Sequence, residues 1–320
     1  MKISVALCTY NGSKFLSKQL ESILNQLNFN VDEIVVCDDR STDDTIKILN
    51  DFQSKYPSVF KIYSNEQNLG STKNFEKAIS LCTGDFIFLA DQDDIWKENK
   101  IKETFSVFEA NKKAEGVFSN ADIIDDNDIL AGSTSIWDSV FFFESELQKP
   151  IDFFDVIAKN QNIVTGATLC FKKEVKEFIF PFPSDVLHDE WIATLLALRN
   201  TLFYSPKDLI SYRVHANQQV GMKNRNKLAK KNKKKKIVLN IENPITFSDY
   251  RFLYKRTFAK LKKVYSFKNS DILKIYRPNL VSETQHEWSE INSLLESKFP
   301  IQHTISKTID QVRGKRKMNF

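Results

Sequence analysis

The 320-residue chain is 42% hydrophobic and 27% charged, which excludes a wholly disordered or fibrous protein and allows one large domain with an appendage, or two small ones. Its net charge of +5 is local: nine Lys and Arg lie between Lys223 and Lys236 with no acid among them, so the rest of the chain carries −4. No apolar run approaches the ~20 residues of a spanning helix, and Met1-Lys2-Ile3-Ser4-Val5 turns polar too quickly for a signal peptide, so a cytoplasmic location is expected.

The first predicted strand is Ile3 to Cys8, ending in the turn Thr9-Tyr10-Asn11-Gly12. From Ser13 to Leu27, Leu16, Leu20, Ile23, Leu24 and Leu27 recur at three- and four-residue steps and predict a helix packed on a sheet. Glu33 to Cys37 is a second strand ended by Asp38-Asp39-Arg40, and Ser41 with Asp44 resembles a capping box for a helix carrying Ile46, Leu49 and Phe52. A third unit runs from the strand Phe60 to Tyr63 through Asn68-Leu69-Gly70 to a helix with Phe75, Ala78, Ile79 and Cys82, and the fourth strand is Phe86 to Ala90. Strands alternating with amphipathic helices imply right-handed crossovers and a mainly parallel sheet covered on both faces. Beyond residue 115 the periodicity weakens: Gly116 to Phe118 and Ala167 to Phe171 read as strands, Asp189 to Arg199 as a helix. A compositional shift places a domain boundary at 220–240, with helical sequence around Tyr250 to Tyr265 and His286 to Leu295 beyond it. Cys8, Cys37, Cys82 and Cys170 show no CxxC spacing and lie in apolar segments, as reduced core thiols do.

In open α/β sheets ligands bind beyond the carboxyl ends of the strands. The residues there are Thr9-Tyr10-Asn11, Asp38-Asp39, Asn65 and Asn68, and Asp91-Gln92-Asp93-Asp94. Three carboxylates within four positions repel one another and favour a positive neighbour; such hard oxygen ligands suit Mg²⁺ or Mn²⁺ bridging to nucleotide phosphates, and equally an acidic turn that caps a helix near Trp96. Asp189, at the mouth of its helix, is either a general base or a favourable charge at a helix N-terminus. His215, in Tyr212-Arg213-Val214-His215, is either a metal ligand or a loop histidine. No Walker loop and no GxGxxG occurs, which argues against P-loop phosphotransferases and dinucleotide-dependent dehydrogenases.

Five pieces occur in order: Val5-Ala6-Leu7-Cys8-Thr9-Tyr10-Asn11, Ser22-Ile23-Leu24-Asn25-Gln26, Ile34 to Thr45 with Cys37-Asp38-Asp39, Asn68-Leu69-Gly70, and Gly84-Asp85-Phe86-Ile87-Phe88-Leu89-Ala90-Asp91-Gln92-Asp93-Asp94. Together they resemble the family-2 glycosyltransferases over residues 1–220. The segment Tyr212-Arg213-Val214-His215-Ala216-Asn217 is similar to an element of the rhamnosyltransferase-like, bacterial polysaccharide-biosynthesis branch, although Asn follows His by two places where that element has three. The resemblance implies an α/β GT-A nucleotide-diphospho-sugar transferase fold at residues 1–220 (a mainly parallel mixed sheet flanked by helices), followed at 221–320 by a basic linker and a mostly helical extension. It implies a nucleotide site at Thr9, Tyr10, Asp39, Asn68, Asn74 and Asp91, a divalent metal, Mn²⁺ or Mg²⁺, at the DxD pair Asp91 and Asp93 with His215 as a further contact, and Asp189 as the catalytic base. The implied activity is inverting transfer from a UDP- or dTDP-linked sugar to a hydroxyl of a glycan or lipid-linked oligosaccharide, in O-antigen or capsule synthesis.

The Lys223–Lys236 run lies outside the resemblance. It is either a solvated tether or an electrostatic attachment to the inner face of the cell membrane, where a lipid-linked acceptor lies; no nucleic-acid partner is expected. Two other readings compete. A sugar nucleotidylyltransferase needs a glycine-rich basic phosphate loop after the first strand, for which Thr9-Tyr10-Asn11-Gly12 is a poor substitute. A non-catalytic basic protein that binds lipid or nucleic acid leaves the clustered aspartates unexplained.

Overall fold

The computed structural model describes residues 1–140, 142, 145, 147, 149–216 and 244–312. The chain divides into two compact units, one of Met1–Ile151 with Ile163–Lys236, the other of Asp152–Asn162 with Ile237–Phe320. The Lys223–Lys236 run lies outside the described residues.

Among the described residues the first unit is built on nine strands: β1 Ile3–Thr9, β2 Glu33–Asp38, β3 Phe60–Ser64, β4 Phe86–Asp91, β5 Ile95–Trp96, β6 Gly116–Ile124, β7 Leu130–Ser135, β8 Cys170–Lys172 and β9 Leu202–Arg213. They form one sheet in the order β3-β2-β1-β4-β8-β6-β9-β5, with β7 on β6. The β1–β2, β1–β4, β2–β3 and β6–β9 pairs are parallel, whereas β8 runs antiparallel to β4 and β6. The apolar runs of β1, β2 and β4 do not alternate because both sheet faces are covered; Val5, Leu7, Ile34, Val36, Ile87 and Leu89 are all buried. Three crossover helices supply that cover: α1 Leu16–Leu24, α2 Thr45–Lys55 and α3 Ser71–Leu81. The unit also holds α4 Lys100–Ala110, α5 Ile136–Val140, α7 Lys176–Ile179 and α8 His188–Leu198.

Four local expectations are corrected. Helix α1 stops at Leu24, and Leu27, expected on its buried face, is 46% exposed while its N–H bonds the Glu98 carbonyl. Ser41 does not cap α2: its N–H and hydroxyl both donate to the Asp38 carboxylate, so the strand-end acid wins the competition for it. Trp96 begins no helix but pairs with Ile210 of β9. Ala167 and Thr168, expected within a strand, belong to the single 3₁₀ turn Gly166–Thr168, and the strand begins at Cys170.

The second unit is helical: α6 Phe153–Lys159, α9 Phe247–Ser266, α10 Asp271–Tyr276, α11 Leu280–Lys298 and α12 Pro300–Val312. Thr246 and Asp249 form a reciprocal capping box at the start of α9. Tyr250, Tyr254 and Leu295 make its core with Phe247, Trp288, Ile291 and Phe299. Beside them Lys159 and Lys260 each bridge Asp155 and Glu287, at 2.5 to 3.6 Å. All four cysteines are free thiols.

Candidate active site

Because β1 lies between β2 and β4 in parallel register, with Cys8 opposite both Cys37 and Asp91, the three strands finish together. Their carboxyl ends therefore line one edge of the sheet. Thr9 is buried and donates its hydroxyl to Asp38 Oδ1 at 2.7 Å. Tyr10 exchanges two hydrogen bonds with the Gln92 amide, its N–H donating at 2.8 Å and its carbonyl accepting at 3.1 Å, which couples the β1 turn to the acidic segment after β4. Gly12 lets the Gln92 amide sit close, since a Cβ there would lie 2.1 Å from Gln92 Oε1 and the amide would have to shift.

Asp39 is held by the loop that precedes α3. Its Oδ1 accepts from Leu69 N–H at 2.7 Å and Asn65 Nδ2 at 2.8 Å, and its Oδ2 accepts from Gly70 N–H at 2.9 Å. Asn68 Nδ2 closes the loop onto the Asp39 carbonyl. Asn74, 2% exposed, accepts from Asn65 and donates to the Cys37 carbonyl, so its amide braces the loop from below. Gly70 takes φ +76°, a conformation that favours glycine.

The second half of the site is acidic. Burial, with Asp93 and Asp189 nearby, pushes the Asp91 carboxyl up to about 7, and burial with Asp93 and Asp91 raises Asp94 well above the usual carboxylate range. Asp94 Oδ1 accepts the Arg213 N–H at 2.9 Å, while Oδ2 is buried without a hydrogen-bond partner among the described residues. Asp93 Oδ2 lies 2.8 Å from His215 Nε2. Two cations sit beside these acids, and both are turned elsewhere. Lys100, fully enclosed and lowered to about 7 by burial, donates to the Ala167 carbonyl at 2.6 Å and lies 3.9 Å above the Trp96 ring. Arg213, 0% exposed, donates to the Asp93 and Asp125 carbonyls, pairs with Asp128 at 2.6 Å, and stacks on Phe15.

Asp189 stands in the first turn of α8, one residue inside a start where Leu187 occupies the cap position. Its Oδ2 accepts from Gly166 N–H at 3.1 Å and its Oδ1 from Glu190 N–H at 2.6 Å. Burial outweighs these bonds and raises the carboxyl to about 6, the range a general base needs near neutral pH. The adjacent His188 is buried, stacks on Phe75 at 3.9 Å between centroids, and is lowered to about 3 by burial. Its ring fills the space beside Gly166, where a Cβ would lie 2.7 Å from Nε2.

The fold thus brings Asp91, Asp93, His215 and Asp189 into one neighbourhood, and Tyr10, Asp39, Asn68 and Asn74 into an adjoining one. It does not assemble Asp91, Asp93 and His215 into a ready cage: among the described residues no group of three His, Cys, Asp or Glu is arranged to hold an ion. Within this neighbourhood His215 Nε2 contacts Asp93 Oδ2. Two carboxylates nevertheless fit a Mg²⁺-like ion, which commonly completes its shell with water and substrate phosphates. Asn65 and Gln92 stand among the strand-end residues named from the sequence, whereas Lys100, Gly166 and His188 are contributors that sequence reasoning missed.

A family model described as Glycosyl transferase family 2 matches residues 4–166. The chain belongs to that family. The dTDP-rhamnosyl transferase RfbG of Shigella flexneri is 32% identical over 231 residues, 67% of this chain and 73% of that one. Among solved structures, S. aureus TarS 1-349 in complex with UDP-GlcNAc matches 92% of this chain and 81% of its own at 18% identity and TM-score 0.53. A mannosyltransferase from Pyrobaculum calidifontis, PcManGT, in complex with GDP-Man and Mn2+, matches 99% of this glycosyltransferase and 81% of its own at 14% identity and TM-score 0.51. At such identities the likeness concerns the fold, which is of the GT-A type.

Proposed function

We propose that this glycosyltransferase moves a sugar from a UDP- or dTDP-linked donor to a hydroxyl of a glycan or lipid-linked oligosaccharide, with inversion at the anomeric carbon, during surface-polysaccharide synthesis. The observation that carries the reading is Asp189: a carboxyl raised to about 6, near enough to Asp91 to raise that acid too, at the sheet edge where the nucleotide loop ends. The name of the S. flexneri relative supports a nucleoside-diphosphate deoxyhexose as donor.

In this mechanism Tyr10, Asp39 and Asn68 face the nucleoside, while Thr9 and Asn74 shape its pocket through the bonds they make to Asp38 and Asn65. A divalent cation, Mn²⁺ or Mg²⁺, held by Asp91 and Asp93 would offset the charge that gathers on the departing diphosphate. His215 orients Asp93 through their 2.8 Å contact. Asp189 takes the acceptor proton as the hydroxyl oxygen attacks the anomeric carbon and the bond to the diphosphate breaks. One displacement inverts that carbon, so no second carboxylate nucleophile is needed. All of these residues lie within 1–220, the part taken as catalytic, with 221–320 as basic linker and helical extension. The Lys223–Lys236 run would draw the enzyme to the inner face of the membrane.

A thermal-shift panel of UDP, dTDP, GDP and CMP, each with Mn²⁺ or EDTA, tests the donor site on wild type, Asp93→Ala and Asp189→Asn. One diphosphate should stabilise wild type and Asp189→Asn only with metal, and Asp93→Ala should lose the effect. If no diphosphate stabilises the wild type, the donor reading fails.

A further inference from the structure

Helix α12 is turned inside out. Its buried face is polar: His303 is 2%, Ser306 7% and Asp310 7% exposed. Those side chains are held by polar and aromatic contacts within the second unit. Asp310 pairs with Arg251 at 3.1 Å, His303 Nε2 lies 3.6 Å from Glu296 Oε1 with the Tyr254 ring edge-on to it, and the Ser306 hydroxyl donates to the His303 carbonyl. The outward face is apolar: Ile301, Ile305 and Ile309 are 71%, 56% and 42% exposed. Four-residue steps place these three on a stripe ~80° wide, flanked by the neutral Thr304, Thr308 and Gln302. A helix packing solely within its own chain would show the opposite pattern.

The charge pattern decides what this face meets. Lys307 is exposed and the one acid of the helix, Asp310, is buried and paired, so the outward surface carries positive charge only. The sequence continues Arg313-Gly314-Lys315-Arg316-Lys317-Met318-Asn319-Phe320, four cations and no acid. An apolar stripe with cations and no exposed carboxylate is the composition of a helix that lies in the plane of an anionic bilayer surface. Three isoleucines expose a few hundred Å², well short of the ~800 Å² per partner that a stable dimer buries.

We propose that α12 lies on an anionic membrane surface with Ile301, Ile305 and Ile309 in the headgroup–acyl boundary. This extends the membrane reading of Lys223–Lys236 without depending on it or on the donor site, because the isoleucine stripe is a separate feature of a separate unit.

The test is flotation of the full chain with phosphatidylcholine vesicles, with and without 30% phosphatidylglycerol, beside its oligomeric state by light scattering. The variants are Ile301→Ser/Ile305→Ser/Ile309→Ser, the same three positions changed to Leu, and Lys230, Lys231 and Lys233 to Lys236 changed to Gln. The wild type should float with the anionic vesicles, the Ser variant should lose about tenfold in partitioning with an unchanged melting profile, and the Leu variant, which keeps the apolar stripe, should bind as wild type. The Gln variant should retain binding above that of the Ser variant. Undiminished flotation of the Ser variant, loss of binding by the Leu variant, or failure of the wild type to float would overturn the proposal. So would a wild-type dimer that the Ser variant dissolves, which would make the stripe a contact between copies.

Discussion

Replacing Asp189 by Asn separates the chemistry of the site from its electrostatics. Its carboxyl titrates at about 6 in the folded protein against 3.8 in a solvated reference, a difference worth about 3 kcal/mol. The folded value is raised, so the stability linked to this group is fully present below pH ~4 and is lost as pH rises through about 6. About half of that loss, ~1.4 kcal/mol, falls between pH 5 and pH 8, where the folded carboxyl ionises. Urea unfolding of wild type and Asp189→Asn in EDTA at these two pH values measures it directly, because the helical unit contributes equally to both proteins. The advantage of the variant over wild type should be larger at pH 8 than at pH 5 by about that amount. Glycosyl transfer should fall by about 10²–10⁴-fold, and wild-type kcat/KM should decline below pH ~6 as the base protonates. A stability difference that is independent of pH, or larger at pH 5, would refute the claim that burial governs this carboxyl.

Two further expectations concern the supports of the site. Gly166→Ala brings a Cβ within 2.7 Å of His188 Nε2; it should cost about 1–3 kcal/mol by overpacking and lower kcat more than it raises KM, since the Gly166 N–H that holds Asp189 must move, and unchanged kcat would show that this turn does not set the base. Arg213→Ala removes a fully buried guanidinium from Asp128 and the Asp93 and Asp125 carbonyls and should cost about 3–5 kcal/mol with loss of metal-dependent nucleotide stabilisation; a stable variant that still binds nucleotide would refute its role in placing Asp93.

The half of the fold made from repeated strand–helix units was legible because its signals are local: β-rich runs, helical periodicity and Asp or Asn at strand ends. That Asp38-Asp39 and Asp91 to Asp94 share one edge followed from position, since parallel strands in register must end together, while singling out Asp39, Asp91 and Asp93 rested on the family resemblance. The supporting residues had no such signal. Lys100 looks like a surface residue of an amphipathic helix, and its burial under Trp96 depends on a two-residue strand pairing with residues more than a hundred positions away. His188 stands beside Asp189 in sequence, and its packing role shows only in the fold, because the ring it stacks on, Phe75, comes from α3. Ser41 was misread for the same reason: a long-range fold had already placed Asp38 within reach.

The acids after β4 sit in a scaffold that does not neutralise them. Burial and mutual repulsion hold Asp91 and Asp94 above the ordinary carboxylate range, and one oxygen of Asp94 has no hydrogen-bond partner among the described residues. Among the described residues two cations lie beside them, and Lys100 offsets the two acids only in part. Lys100 instead directs its ammonium to the Ala167 carbonyl, and Arg213 directs its guanidinium to two carbonyls and Asp128. Their bonds fix the Gly166 turn and the backbone of Asp93, which positions Asp189 and Asp93, and among the described residues neither cation hydrogen-bonds the Asp91 or Asp94 carboxylate with its side chain. A site built only for stability would have closed these pairs, because an uncompensated buried acid is destabilising. The arrangement is explained if the compensating charge arrives with the donor: crowded carboxylates are then unfavourable in the empty protein and favourable in the loaded one, and that difference becomes affinity for a cation–diphosphate pair.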